Sequence, residues 1–66
     1  MIRNIGIENG ERILTDGKRT IKFEKHDQGY QMWELKGNTY YRCGIVNADK
    51  ETENEDLWNI ATDDLY

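Results

Sequence analysis

Apolar and polar residues alternate along the first two thirds of the chain. That period of two belongs to β-strands rather than helices. The stretches "TIKFEK", "GYQMWEL" and "TYYRCGIV" carry it most clearly, and "IRNIGIE" and "ERILT" carry it in shorter form. Turn formers separate these stretches. Asn9-Gly10 and Asp16-Gly17 are two-residue hairpin signals, because both central positions of a type I′ turn need positive φ. "HDQG" (26–29) and "KGN" (36–38) are looser turns that each carry a glycine. Five strands are expected, at about 2–8, 11–15, 18–25, 29–35 and 39–46. With connections this short, neighbours pair antiparallel, as a meander.

Beyond residue 50 the period changes. Leu57, Ile60, Ala61 and Asp64 follow the i, i+3, i+4, i+7 spacing of a helix, and Leu57, Trp58, Ala61 and Leu65 form an apolar stripe. Thr52 and Glu55 match a capping box. Glu53, Glu55 and Asp56 complement the positive end of the helix dipole, whereas Asp63 and Asp64 oppose it at the other end. A helix over about 52–62 follows. The fold class is therefore α+β, mainly β. One small domain spans 1–66, with a five-stranded meander over 2–46, flat or curled into a small barrel, and one C-terminal helix packed on it.

Alternation also assigns faces. Ile21 and Phe23 are expected on the core side with Trp33, Leu35, Tyr41, Cys43 and Ile45, joined by Ile5, Ile7 and Ile13. The other face then carries Thr20, Lys22, Glu24, Tyr30, Met32, Glu34, Tyr40, Arg42, Gly44 and Val46. This second face is neither plainly polar nor plainly apolar.

Composition narrows the chemistry. Sixty-six residues bury only roughly 60% of the unfolded surface, so such domains are marginal and usually add a disulfide or a metal. Cys43 and His26 are the only cysteine and histidine. No internal disulfide can form, and a zinc site wants about four clustered ligands. The lone thiol suits a reducing compartment, the cytoplasm. No signal peptide is visible at the start, and no apolar run approaches the roughly 18 residues of a membrane helix.

Charge is unevenly spread. Residues 1–48 hold eight basic against six acidic side chains, a net +2, while residues 49–66 hold one against seven, a net −6, which together match the overall −4. An asymmetry of this kind bears on partners rather than on fold.

Two surfaces stand out as candidates. Asp49, Glu51, Asp63 and Asp64 exceed what a helix start needs and suit a basic partner surface, including one that normally holds nucleic acid. The acids at 49, 51, 53 and 55 alternate as in a calcium loop, but the sixth position is Asn54 and the twelfth Ile60, where such a loop needs Gly and Glu. The second surface is the sheet face with Tyr30, Met32 and Tyr40 beside Lys22 and Arg42. Rings that stack on bases, with cations that hold phosphates, make a single-strand nucleic-acid platform. If the helix leaves that face uncovered, it instead marks a homo-oligomer contact.

Catalysis finds little support. Cys43 falls mid-strand and His26 in a turn, and a buried thiol behaves as an inert small hydrophobe. No phosphate-binding glycine loop occurs. The expectation is a non-enzymatic, cofactor-free, soluble module that binds another protein. Its acidic C-terminal segment and adjacent aromatics would occupy a site on that protein. Nucleic-acid binding and homo-oligomeric assembly are the alternatives. In composition the chain is similar to many small adaptor and inhibitor proteins, including those made by bacteriophages.

Overall fold

A computed structural model describes residues 2–6 and 11–64. Five strands, β1 (Arg3–Asn4), β2 (Arg12–Thr15), β3 (Thr20–His26), β4 (Gly29–Lys36) and β5 (Thr39–Val46), precede one helix, α1 (Asn54–Asp64). The strands lie in the order β1-β2-β3-β4-β5, every neighbouring pair antiparallel. This is the expected mainly-β meander with a C-terminal helix. The sheet is open rather than closed into a barrel, with β1 and β5 at its edges.

The turns set the register. His26 pairs with Gly29 and Lys36 with Thr39, so each of these hairpins turns on two residues. Gly37 has φ 63, as the first central residue of a type I′ or II′ turn requires. Gly29 has φ 137, and a Cβ there would stand 2.0 Å from the Val46 carbonyl oxygen. Only glycine lets β4 start so close to the end of β5. The β2–β3 connection departs from expectation. Thr15 pairs with Thr20, so four residues, not two, make this loop. Asp16 Oδ1 accepts from the Lys18 and Arg19 backbone N–H groups at 2.8 Å each, and this side-chain turn replaces the type I′ hairpin. The Asn9-Gly10 signal lies outside the described residues.

Two-residue turns have a consequence for the faces. Ile21 pairs with Glu34, Phe23 with Met32 and Lys25 with Tyr30. Odd-numbered residues of β3 therefore share a face with even-numbered residues of β4. The buried cluster is Leu14, Ile21, Phe23, Tyr30, Met32 and Val46 from the sheet with Leu57, Trp58 and Ala61 from α1. Tyr30 and Met32, expected on the second face, lie instead under the helix. Trp33 and Leu35, expected in the core, lie on the face away from it. Ile13 is there too, because Leu14 is the β2 residue that opposes Ile21.

A β-bulge finishes the sorting. Gln31 pairs with Ile45 and Trp33 with Arg42, so Met32 alone faces both Cys43 and Gly44. The extra residue returns Val46 to the core side and turns Ile45 out, the reverse of strict alternation. Gln31 Nε2 lies 3.1, 3.2 and 3.0 Å from the carbonyl oxygens of Met32, Cys43 and Gly44. The amide thus donates to backbone carbonyls around the bulge.

The helix packs by its stripe. Leu57 and Ala61 are fully buried and Trp58 nearly so, while Ile60 is exposed. Burying a leucine or tryptophan side chain is worth roughly 1.5–3 kcal/mol, so these contacts hold α1 more firmly than its own short ladder does.

Candidate functional site

The acidic layer starts at the entry to α1. The first intrahelical bond runs from the Leu57 N–H to the Glu53 carbonyl, so Glu53 is the cap position and the expected Thr52–Glu55 capping box does not form. Thr52 instead belongs to a turn built by Asp49. Asp49 Oδ1 accepts from the backbone N–H groups of Glu51 at 2.9 Å and Thr52 at 3.1 Å, and from the Thr52 hydroxyl at 3.3 Å. The Asp49 N–H donates to the Thr52 hydroxyl oxygen at 3.2 Å. Part of the Asp49 carboxylate is thus engaged in shaping its own loop.

What anchors this loop to the sheet is Arg12, a residue sequence reasoning did not single out. Arg12 is 8% exposed and pairs with no carboxylate among the described residues. Its Nη1 donates to the Thr52 carbonyl and to Asn54 Oδ1 at 3.1 Å. Its Nη2 donates to the carbonyls of Asp49 at 3.1 Å and Lys50 at 2.9 Å, and reaches the Tyr30 hydroxyl at 3.5 Å. The guanidinium also sits 5.5 Å from the centre of the Tyr30 ring, inside cation–π range. A planar fork with five N–H donors can serve this many acceptors, and an ammonium cannot. The only hint in the sequence was its place: alternation puts Arg12 on the same face as Leu14.

Four carboxylates were expected to share one surface. Glu51 and Asp63 are exposed, but they stand before and at the far end of an 11-residue helix, which is about 16 Å long at 1.5 Å per residue. Asp49 is part of a turn, and the placement of the Asp64 side chain lies outside the described part. The exposed set that the fold does assemble is Glu55, Asp56 and Asp63 on α1, with Glu51 and the cap residue Glu53 before it and Ile60 among them. None of these acids has a salt-bridge partner among the described residues, where Arg19–Glu34 is the ion pair. Leu57, Trp58 and Ala61 face inward, so Asp56, Ile60 and Asp63 project from the opposite side.

The aromatic face is also rearranged. Lys22, Tyr40 and Arg42 lie on the open side of the sheet, opposite Tyr30 and Met32, and Trp33 takes the position expected for Tyr30. Lys22 pairs with Trp33 and Trp33 with Arg42, so a row of cation, ring and cation crosses three strands. Lys22 Nζ lies 5.6 Å from the Trp33 ring centre and 5.1 Å from that of Tyr40. The Trp33 Nε1–H is buried and has no hydrogen-bond partner. Ile45 is 41% exposed, and Glu24 is the acid that shares this side, through its pairing with Gln31.

Elsewhere, polar chemistry is structural. Arg19 Nε and Nη2 donate to the two Glu34 carboxylate oxygens at 2.8 and 3.3 Å, and these bonds hold the Glu34 pKa below the ordinary carboxylate value. The backbone N–H groups of Arg19 and Lys18 lower that of Asp16 likewise. Cys43 Sγ contacts the Tyr41 carbonyl oxygen at 3.5 Å on β5, while His26 Nδ1 accepts from the Gln28 N–H at 3.1 Å at the end of β3. The whole of β4 separates the two residues. No three His, Cys, Asp or Glu side chains among the described residues converge as metal ligands, and no helix there is long and apolar enough to cross a membrane.

Fold and surface together define a two-layer protein: an open antiparallel sheet, one face covered by an acid-bearing helix and the other carrying rings and cations. Comparison with protein-family models, curated protein sequences and solved structures gives no match.

Proposed function

We propose that the chain is a non-enzymatic protein-binding module of inhibitor or adaptor type that presents its acidic helix layer to a basic surface on a larger protein. A free thiol at Cys43 suits a reducing compartment such as the cytoplasm. The observation that supports this reading is the set of exposed carboxylates on and before α1, none neutralised by a salt bridge among the described residues. Acids left unpaired project their field outward and steer encounter with a complementary partner. Ile60 supplies an apolar contact in their midst.

The test is a pull-down from lysate of the source organism with the chain and with its Glu53→Gln/Asp56→Asn/Asp63→Asn variant as baits, followed by binding kinetics on the captured protein. These exposed substitutions should each move stability by under about 0.5 kcal/mol. The partner's association should slow, and its salt dependence should flatten. An unchanged on-rate would reduce the acidic layer to a solvated helix face.

The second reading is single-stranded nucleic acid on the open sheet face. The Trp33–Lys22–Tyr40 cluster favours it, since bases stack on rings. The net charge of −4 opposes it. Fluorescence anisotropy with single-stranded DNA and RNA at low salt decides it, and absence of binding retires it.

A further inference from the structure

The two edges of the sheet differ. β1 offers two residues and β5 eight, and no described strand pairs with the outer side of β5. A long edge strand is a template for another strand unless something blunts it. The bulge at Cys43 and Gly44 blunts the far half, so Thr39 to Cys43 is the free stretch. Hairpin geometry decides which of its backbone groups point out. A two-residue turn closes on a hydrogen-bonded pair, here Lys36 and Thr39. Such pairs alternate with non-hydrogen-bonded ones along an antiparallel ladder, so Glu34 and Tyr41 form the next. Thr39 and Tyr41 thus direct their N–H and C=O groups at β4. Those of Tyr40 and Arg42 point outward, away from the sheet.

We infer that the β5 edge pairs with the β5 edge of a second copy of this chain, antiparallel, about a two-fold axis at Tyr41. This register sets Tyr40 opposite Arg42 of the second copy, so the outward N–H and C=O groups of each meet those of the other. An axis at Tyr40 would set Arg42 against the turn residue Asn38. An axis at Arg42 would set like charges face to face, which destabilises a strand pair, and one at Cys43 would run the ladder into the bulge. The side chains suit the same register. Tyr41 is 54% exposed on the helix side, since it pairs with Glu34 and Glu34 with Ile21. At the axis it meets its own copy in a close, non-hydrogen-bonded pair. Arg42 is exposed and has no carboxylate partner among the described residues. In the pair it lies beside the Tyr40 ring of the second copy, a cation–π arrangement. Lys22 reaches Tyr40 from β3, so the two cations come from opposite directions. A strand that sets, in reversed order, an aromatic against Arg42, a cation against Tyr40 and a ring against Tyr41 is this strand itself. The contact is isologous and closes as a dimer. Its ladder is short, so the dimer is weak. It uses a different surface from the acidic helix layer and does not depend on that reading.

Sedimentation up to millimolar protein, together with amide hydrogen exchange, tests this. The unmodified chain should dimerise. Its Tyr40 and Arg42 amides should exchange more slowly as concentration rises, while the Tyr41 amide stays protected throughout. This measurement needs no variant. Tyr41→Lys and Tyr41→Glu each set like charges against one another at the axis, and circular dichroism first verifies that both fold. Each alone should dimerise roughly tenfold or more weakly than the unmodified chain. Mixed, they should recover a one-to-one heterodimer, because an ammonium then meets a carboxylate at the axis. A chain that stays monomeric at millimolar concentration overturns the inference, as does a dimer whose Tyr40 and Arg42 amides stay unprotected. So does a dimer that both variants leave intact, or a weakening that mixing does not relieve.

Discussion

Arg12→Ala should be the most damaging single change outside the apolar core. The side chain spans two structural units: it starts on β2 and ends among the carbonyls of Asp49, Lys50 and Thr52 and the Asn54 amide. A hydrogen bond to a charged group is worth about 1.5–3 kcal/mol when broken. Four such bonds do not sum, because the 49–52 loop is partly exposed and water replaces some of them. About 3–4 kcal/mol is the expected cost. A domain of this size has only roughly 3–10 kcal/mol in total, at 0.05–0.15 kcal/mol per residue. At 4–8 °C per kcal/mol, the midpoint should drop by roughly 12 °C or more. Urea melts followed by Trp58 and Trp33 fluorescence measure this. Arg12→Lys should recover little, because an ammonium cannot reach four acceptors in a fork. If Arg12→Ala costs under about 1 kcal/mol, the loop is held by its own Asp49 turn, and the strap between β2 and α1 is not a stabilising element.

Two further predictions concern the helix entry and acid stability. Asp49→Ala should cost about 1 kcal/mol through the N–H groups it leaves unpaired, while Glu55→Gln should leave thermal stability within about 0.5 kcal/mol, since no capping box forms; the reverse ranking in thermal melts would restore the box. Glu34 has a folded pKa held below its unfolded value by Arg19, so its contribution is fully present above about pH 4.5 and is lost as pH falls through the folded value. Glu34→Gln should therefore cost about 1 kcal/mol at neutral pH, as expected of a half-buried ion pair, and less at pH 2. Urea titrations of both proteins at the two pH values check this, and an equal gap at both would refute it.

Local sequence determined the elements. Alternating apolar residues made strands, the 3.6-residue stripe of Leu57, Trp58 and Ala61 made a helix, and glycine at 37 marked a turn, though not its two-residue length. Each depends on neighbours a few positions away, so each was readable without the fold. The sorting of faces was not, because it depends on loop length to the residue. Counting Gly37-Asn38 as a two-residue turn rather than three residues moves every side chain of β5 to the other face relative to β4. The β5 bulge reverses the count again beyond Met32, and no local pattern announced it. Tertiary structure therefore decided that Tyr30 and Met32 support the core while Trp33 joins Tyr40, Lys22 and Arg42 on the open side. It also decided the fate of the charges. Composition placed seven acids after residue 48, but only the fold engaged Asp49 in a turn and aligned Asp56 and Asp63 along one outer helix face. Arg12 is the plainest case. Nothing within a few residues of it suggests a partner, because its acceptors lie 37 to 42 positions away. Backbone carbonyls carry no sequence signature, so only the folded chain reveals why a buried arginine needs no acid.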